Sequence, residues 1–202
     1  VGASGESSPK FADLDEDGKD ELILATADGT IHAFNEDGSE VDGWPVQLNY
    51  RHDMDPANVG PEGWFGMGNH RESCAFRATD KKEGCLRTAF QVSADVRETV
   101  MATPAVGDIT GDGDLEIVVL TFDGGIFVIE SDGTFAEGFP QRTDLERSMG
   151  TTNKENLVDH GFFSSPVLAD LDEDGNLEII TAAMDQHIYV WRHDGSKQPG
   201  WP

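Results

Sequence analysis

The chain has 202 residues, 37% of them hydrophobic, with 14 Lys and Arg against 39 Asp and Glu and a formal charge of −25. That hydrophobic share supports a packed core rather than wholesale disorder, and the lack of a basic footprint argues against nucleic acid or an anionic membrane surface as partner. No apolar run approaches the roughly 20 residues of a membrane-spanning helix, and the chain opens at Val1 with no signal-peptide pattern, as a mature or excised segment would.

The first predicted element is a short strand, Pro9 to Ala12. It runs into Asp13-Leu14-Asp15-Glu16-Asp17-Gly18-Lys19-Asp20-Glu21, with oxygen-bearing side chains at loop positions 1, 3, 5 and 9 and Gly at position 6. A short loop wraps a hard cation this way. Ca²⁺ takes roughly six to eight oxygens, and alternate residues aim theirs at one centre. Gly allows the sharp turn that brings round the position-7 carbonyl (of Lys19 here) and the last carboxylate. The opening fits an EF-hand, but an EF-hand needs a bidentate Glu at position 12 and a helix on each side. Position 12 is Leu24, inside the apolar run Leu22-Ile23-Leu24-Ala25. The loop is therefore read as the turn of a β-hairpin entering a second strand, Glu21 to Thr26. An Asp28-Gly29 turn, a third strand from Thr30 to Phe34, an Asn35-to-Gly38 turn and a short fourth strand centred on Trp44 complete the unit.

The unit recurs twice without insertion or deletion. The second loop carries Asp108, Thr110, Asp112, Asp114 and Glu116 at positions 1, 3, 5, 7 and 9, and the third carries Asp170, Asp172, Asp174, Asn176 and Glu178. Pro9, Pro104 and Pro166 each stand four residues before the first loop Asp; Asp28, Asp123 and Asp185 stand fifteen after it. Asp37-Gly38, Asp132-Gly133 and Asp194-Gly195 follow, and then Gly43-Trp44-Pro45, Gly138-Phe139-Pro140 and Gly200-Trp201-Pro202. The third strands are apolar on both faces: Ile31, Ile126 and Ile188 share a side with Ala33, Val128 and Val190, while Phe34, Ile129 and Trp191 point the other way. A sheet buried on both faces sits between neighbours. Four-stranded antiparallel units of about forty residues stacked in this way are β-propeller blades, with a solenoid of stacked sheets as the weaker alternative.

The pattern Ser8-Pro9…Asp13-x-Asp15-x-Asp17-Gly18-x-x-Glu21, with Ala102-Thr103-Pro104 and Ser165-Pro166 opening the other copies, resembles the FG-GAP/VCBS family of calcium-binding propeller blades, as in integrin α-subunit heads and bacterial surface and secreted proteins. The resemblance covers three blades. It implies an all-β fold of three four-stranded antiparallel blades, a partial propeller, with one Ca²⁺ per blade. The usual ninth ligand in that family is Asp; here it is Glu21, Glu116 and Glu178. Thr110 replaces an acid and removes one charge, so the second site is expected to be the weakest.

The chain then divides into blade 1 (residues 1–47), an inserted loop (48–100), blade 2 (101–141), a second inserted loop (142–162) and blade 3 (163–202). In the family such connections leave on the face opposite the calcium loops, the face that usually binds ligands. Long connections of this kind are commonly functional. The first holds Trp64, Phe65, Met67, His70, Arg71 and the two cysteines, and reads as an ordered knob, either a ligand-binding element or a flap over a blade edge. Cys74 and Cys85 would pair as one local disulfide in a secreted protein and stay free in a cytosolic one; a zinc site with His70 lacks a second paired motif.

No nucleophile motif stands out, and no catalytic residue is assigned. Ser164-Ser165 belongs to the repeat opening, His32 occupies a blade-packing position, and His187 and His193 lie at turns. His52 with Asp53 and Asp55, or His160 with Asp159, would serve as base and orienter only if the fold joined them. Three blades do not close a ring of four to eight or so, so the expected partners are further blades of the parent chain or another copy, plus a protein or glycan ligand. The expected function is a calcium-stabilised extracellular or cell-surface module for adhesion or binding. The alternatives are the propeller portion of a secreted polysaccharide lyase or protease, and a self-assembling surface protein.

Overall fold

The computed structural model describes residues 5, 7–48, 99–122, 124–144, 147 and 161–202. These form three successive antiparallel meanders. The first runs β1 (Lys10–Ala12), β2 (Glu21–Ala25), β3 (Thr30–Phe34) and β4 (Val46–Gln47). The second runs β5 (Ala105–Gly107), β6 (Glu116–Leu120), β7 (Gly125–Ile129) and β8 (Gln141–Arg142). The third has β9 (Val167–Ala169), β10 (Glu178–Ala182) and β11 (Ile188–Trp191). The register is the same in all three: the ninth-position glutamate opposes the last residue of the first strand, as Ala12 to Glu21, Gly107 to Glu116 and Ala169 to Glu178.

Two details differ from the sequence reading. The fourth strand does not centre on Trp44 but begins at Val46, which pairs with Ile31. The Trp44 N–H turns back to the Val41 carbonyl at 3.1 Å, and Pro45 has no N–H to give a ladder, so pairing starts only beyond them. The third blade has three strands rather than four, because the positions equivalent to Val46 and Gln47 fall after Pro202, the last residue of the sequence.

The blades pack face on face, with β1 beside β5 and β5 beside β9. Strand alternation sends neighbouring residues of the central blade into two different cores. Ile117, Val119, Phe127 and Ile129 join Ile23, Ala25, Ile31, Ala33 and Trp44 of the first blade. Val118, Leu120, Ile126 and Val128 join Ile179, Tyr189 and Trp191 of the third. Every residue of β6 and β7 is consequently buried, as expected of a middle blade.

At the outer rim the blades meet backbone to backbone. Gly43 (φ 90°) lies so close to the Asp132 carbonyl that no Cβ would fit, and Gly133 lies equally close to the Gly43 carbonyl. Gly138 and Gly195 repeat this contact between the second and third blades. The first joint carries an extra bond, from the Trp44 indole Nε1 to the Ser131 carbonyl at 2.9 Å. The second joint has Phe139 at that position and no indole to donate. Trp44→Phe should therefore cost about 1 kcal/mol, the usual net worth of one hydrogen bond, read as a lower urea midpoint. An unchanged midpoint would show that close backbone packing alone holds the joint.

Candidate cation-binding loops

Each loop is held open by its own backbone donors. The position-1 carboxylate accepts the N–H of the position-6 glycine: Asp13 from Gly18 at 3.0 Å, Asp108 from Gly113 at 3.1 Å, and Asp170 from Gly175 at 3.1 Å. Those glycines have φ of 88°, 106° and 98°, a region that side chains avoid. The position-5 carboxylate accepts the N–H two residues on: Asp17 from Lys19, Asp112 from Asp114, and Asp174 from Asn176. These Asx turns fix the position-5 side chains; Asp17 and Asp112 join the acids that converge in their loops, and Asp174 does not.

The ninth-position glutamates are buried, unlike most of the loop acids. One oxygen of each accepts the N–H of position 2: Glu21 from Leu14 at 2.7 Å, Glu116 from Ile109 at 2.6 Å, and Glu178 from Leu171 at 2.7 Å. The other oxygens of Glu116 and Glu178 are buried without a hydrogen-bond partner, as are Asp13 Oδ1 and Thr110 Oγ1. Among the described residues, ligand atoms converge within 4.8 Å in three groups: Asp13, Asp15 and Asp17; Asp108, Asp112 and Glu116; Asp170, Asp172 and Glu178. Buried oxygens that no proton satisfies, set among like charges, suit a hard cation.

The loops differ in what lies around them. In the first, Lys19 pairs with Asp17 at 3.2 Å and Glu36 at 2.5 Å, and both raise its pKa. In the third, Asp172 takes Arg192 at 3.3 Å and Gln198 at 3.0 Å from the arm that leaves β11. Position 4 is left-handed throughout. Glu16 and Glu173 hold it at φ 59°, but the second loop has Gly111 there. A Cβ on Gly111 would approach Asn176 Oδ1 of the next loop to 2.9 Å.

Burial pushes the Glu116 carboxyl up to about 7, with the charges of Glu130 and Asp112 adding to the effect. Burial also raises Glu130, helped by Asp112, Asp132 and Asp114. In the third loop the backbone N–H of Asn176 lowers Asp174.

The other sequence candidates take structural roles. Ser7 and Ser164 donate to the carbonyls of Ala25 and Ala182, both at 2.9 Å, pinning the first and third repeat openings to the ends of their second strands. His32 stacks on Phe34 and its Nδ1 lies 2.6 Å from Glu40. His52, Asp53, Asp55, His70, Cys74, Cys85, Asp123, Asp159 and His160 lie outside the described residues.

At the opposite end of the blades the structure shows a network that the sequence reading missed. Tyr189 donates to Asp185 at 2.6 Å and accepts the Asp144 N–H at 3.1 Å. Asp144 also pairs with Lys197 and Arg147, and Arg147 reaches His187 Nε2 at 3.1 Å. Burial raises the Tyr189 pKa, and its bond to Asp185 raises it further. Only the recurring Asp185 gave a signal for it.

Residues 108–181, from the second acidic loop into β10, match the model of the FG-GAP-like repeat family. No curated protein sequence matches the chain. Among solved structures, BamB from Moraxella catarrhalis is similar at 15% identity, over 98% of this chain and 37% of BamB, with a TM-score of 0.47. BBS1N, in its complex with ARL6DN soaked with lead, is similar at 12% identity over 98% of this chain and 58% of that one, with a TM-score of 0.38. The chain thus spans less than two thirds of either structure.

The raised Glu116 gives a pH signature in chelator. Its folded value lies above the ordinary 4.5, so its contribution to stability is full below 4.5 and is lost as pH rises through about 7. Glu116→Gln keeps the acceptor for Ile109 and removes the titration. In chelator, the loss of melting temperature from pH 5 to pH 8 should be smaller in the variant than in the parent. Equal losses would refute the burial of a charged Glu116.

Proposed function

We propose that this chain, which carries an FG-GAP-like repeat over residues 108–181, is a calcium-stabilised β-propeller module for extracellular adhesion or for protein or glycan binding, without catalysis of its own. One observation carries the calcium reading: buried oxygens of Asp13, Thr110, Glu116 and Glu178 stand unpartnered in three acidic loops built to one plan. A cation there would satisfy them and offset the repulsion among the carboxylates. The residues to hold it are Asp13, Asp15, Asp17 and Glu21, with Asp108, Thr110, Asp112 and Glu116, and Asp170, Asp172, Asp174 and Glu178, aided by the carbonyls of Lys19, Asp114 and Asn176.

Extracellular modules bind Ca²⁺ with Kd of roughly 10⁻⁴ to 10⁻³ M, so external calcium would fill such sites and cytosolic levels would not. That supports a secreted or surface location. The remaining surface is divided by the meander. Lys19 and Glu36 show the acidic loops and the turns after the third strands at one end of the blades. The inserted segments leave and return at the other end, where Phe122 bonds Thr99, Phe162 bonds Thr121 and Met184 bonds Gly161. That end, with the Tyr189–Asp144 network, is the better place for a macromolecular ligand. The apolar faces of the outer blades fit further blades as partners.

At about 10 mM calcium, each filled site should add about 1.4–2.7 kcal/mol, seen as a rise in melting temperature over chelator. Asp15→Ala should reduce that rise and leave the melting temperature in chelator unchanged. Equal loss in both conditions would remove Asp15 from the ligand set. Binding to a panel of proteins and acidic polysaccharides without turnover is the expected functional result; turnover would overturn the non-catalytic reading.

A further inference from the structure

We infer that the second and third acidic loops bind their cations as a coupled pair while the first loop acts alone; this rests on the calcium reading above. The link is a backbone bond between blades. The Leu177 N–H donates to the Ile109 carbonyl at 3.4 Å. Leu177 holds position 8 of the third loop, and Ile109 holds position 2 of the second. Among the described residues, their equivalents Leu115 and Leu14 make no such bond.

Two peptide units in series carry the link. The Leu177 N–H shares its peptide plane with the carbonyl of Asn176, the position-7 carbonyl assigned above to the third site. In a trans peptide, as this one is, the two point in opposite directions. An Asn176 carbonyl turned into its own loop therefore turns the N–H toward the neighbour. The Ile109 carbonyl in turn shares its plane with the Thr110 N–H, which donates to Glu116 Oε2 at 3.3 Å. Glu116 is fully buried, and its other oxygen has no hydrogen-bond partner. The series thus runs from a carbonyl ligand of one loop to a carboxylate ligand of the next, and each dipole polarises the one after it.

Two glycines let these loops approach. Gly107 ends β5 where the first blade ends β1 with Ala12. A Cβ on Gly107 would lie 2.9 Å from Leu168 Cδ1 and 3.4 Å from Leu177 Cδ1. Leu177 thus brackets Asp108, with its side chain on Gly107 and its N–H on Ile109. At position 4 the second loop has Gly111 where the first has Glu16. A Cβ there would lie 2.9 Å from Asn176 Oδ1, and Asn176 Nδ2 donates to Asp174 at 3.1 Å. The two loops therefore share one packed contact. Ordering either loop lowers the entropy cost of ordering the other, and sites that share an ordering step bind cooperatively.

The test is calorimetric titration with calcium near about 0.15 M salt, which screens direct repulsion between bound cations. The parent should show one single site and one cooperative pair. Asp13→Ala leaves the second and third loops. Adding Asp170→Ala leaves the second alone, and adding Asp108→Ala instead leaves the third alone. A cooperative melt in chelator verifies that each variant folds. Each lone loop should bind about fivefold or more weakly than it does with its neighbour filled, by the same factor for both, because coupling is reciprocal. Asp170→Ala alone leaves the first and second loops, which should bind independently. Gly107→Ala gives the second blade the residue of the first; it should keep three sites and remove the cooperativity. Three independent sites in the parent, lone loops as tight as the pair, a coupled first and second loop, or cooperativity that survives Gly107→Ala would each overturn the inference and leave the calcium reading standing. A parent that takes up no calcium would overturn both.

Discussion

A buried glutamate oxygen accepting a backbone N–H closes each first hairpin, and the rest of the blade is built on that closure. Glu21, Glu116 and Glu178 each reach back seven residues to position 2 of their own loop. A charge-assisted bond of this kind is worth roughly 1.5–3 kcal/mol. It fixes where the second strand starts, and the pleat then decides which residues face which neighbour. A one-residue slip would exchange the two faces of β6 and send Val118 where Val119 belongs. The same carboxylate also carries a cost. Its second oxygen lies buried in a field of acids, and Glu116 shows this as a raised pKa. In Glu116 and Glu178 the anchor that sets the register thus also leaves a buried oxygen without a donor.

The central blade couples the other two. Its strands divide their side chains between two cores that share no residue among those described, so β5, β6 and β7 stand between the outer blades. The ends of the meander divide differently. Acidic loops cluster at one end, and the long connections depart from the other. A cation held in the loops, as proposed above, would therefore leave the other end of the blades uncovered.

Much of this was legible in the sequence because the signals were side-chain signals in fixed register. Alternating oxygens and a glycine at position 6 mark the loops. Third strands that are apolar on both faces call for a neighbour on each side. What was hidden depends on the backbone or on contacts across the repeat. The two-residue strand Val46–Gln47 is too short to show a period, and the large ring of Trp44 drew the expected strand to the wrong place. The second role of the ninth glutamate is a bond to a main-chain donor, which leaves no trace in residue type. Gly111 is crowded by Asn176, sixty-five residues on, in the adjoining loop, where a Cβ would lie 2.9 Å from its Oδ1, and no spacing within one repeat shows that. The Asp144–Lys197 pair spans fifty-three residues and belongs to no repeat pattern.

The rim joints have an evolutionary consequence. Gly43 against Asp132–Gly133, and Gly138 against Asp194–Gly195, meet through carbonyls and glycines, which carry almost no information about residue identity. At the rim, a unit keeping these two glycine positions meets what either neighbour requires, and only the apolar faces inside still have to match. Such a join tolerates duplication, deletion and shuffling of whole units, while side chains elsewhere diverge to suit their immediate neighbours. Lineages built on it should vary in number of units more readily than in the spacing inside one.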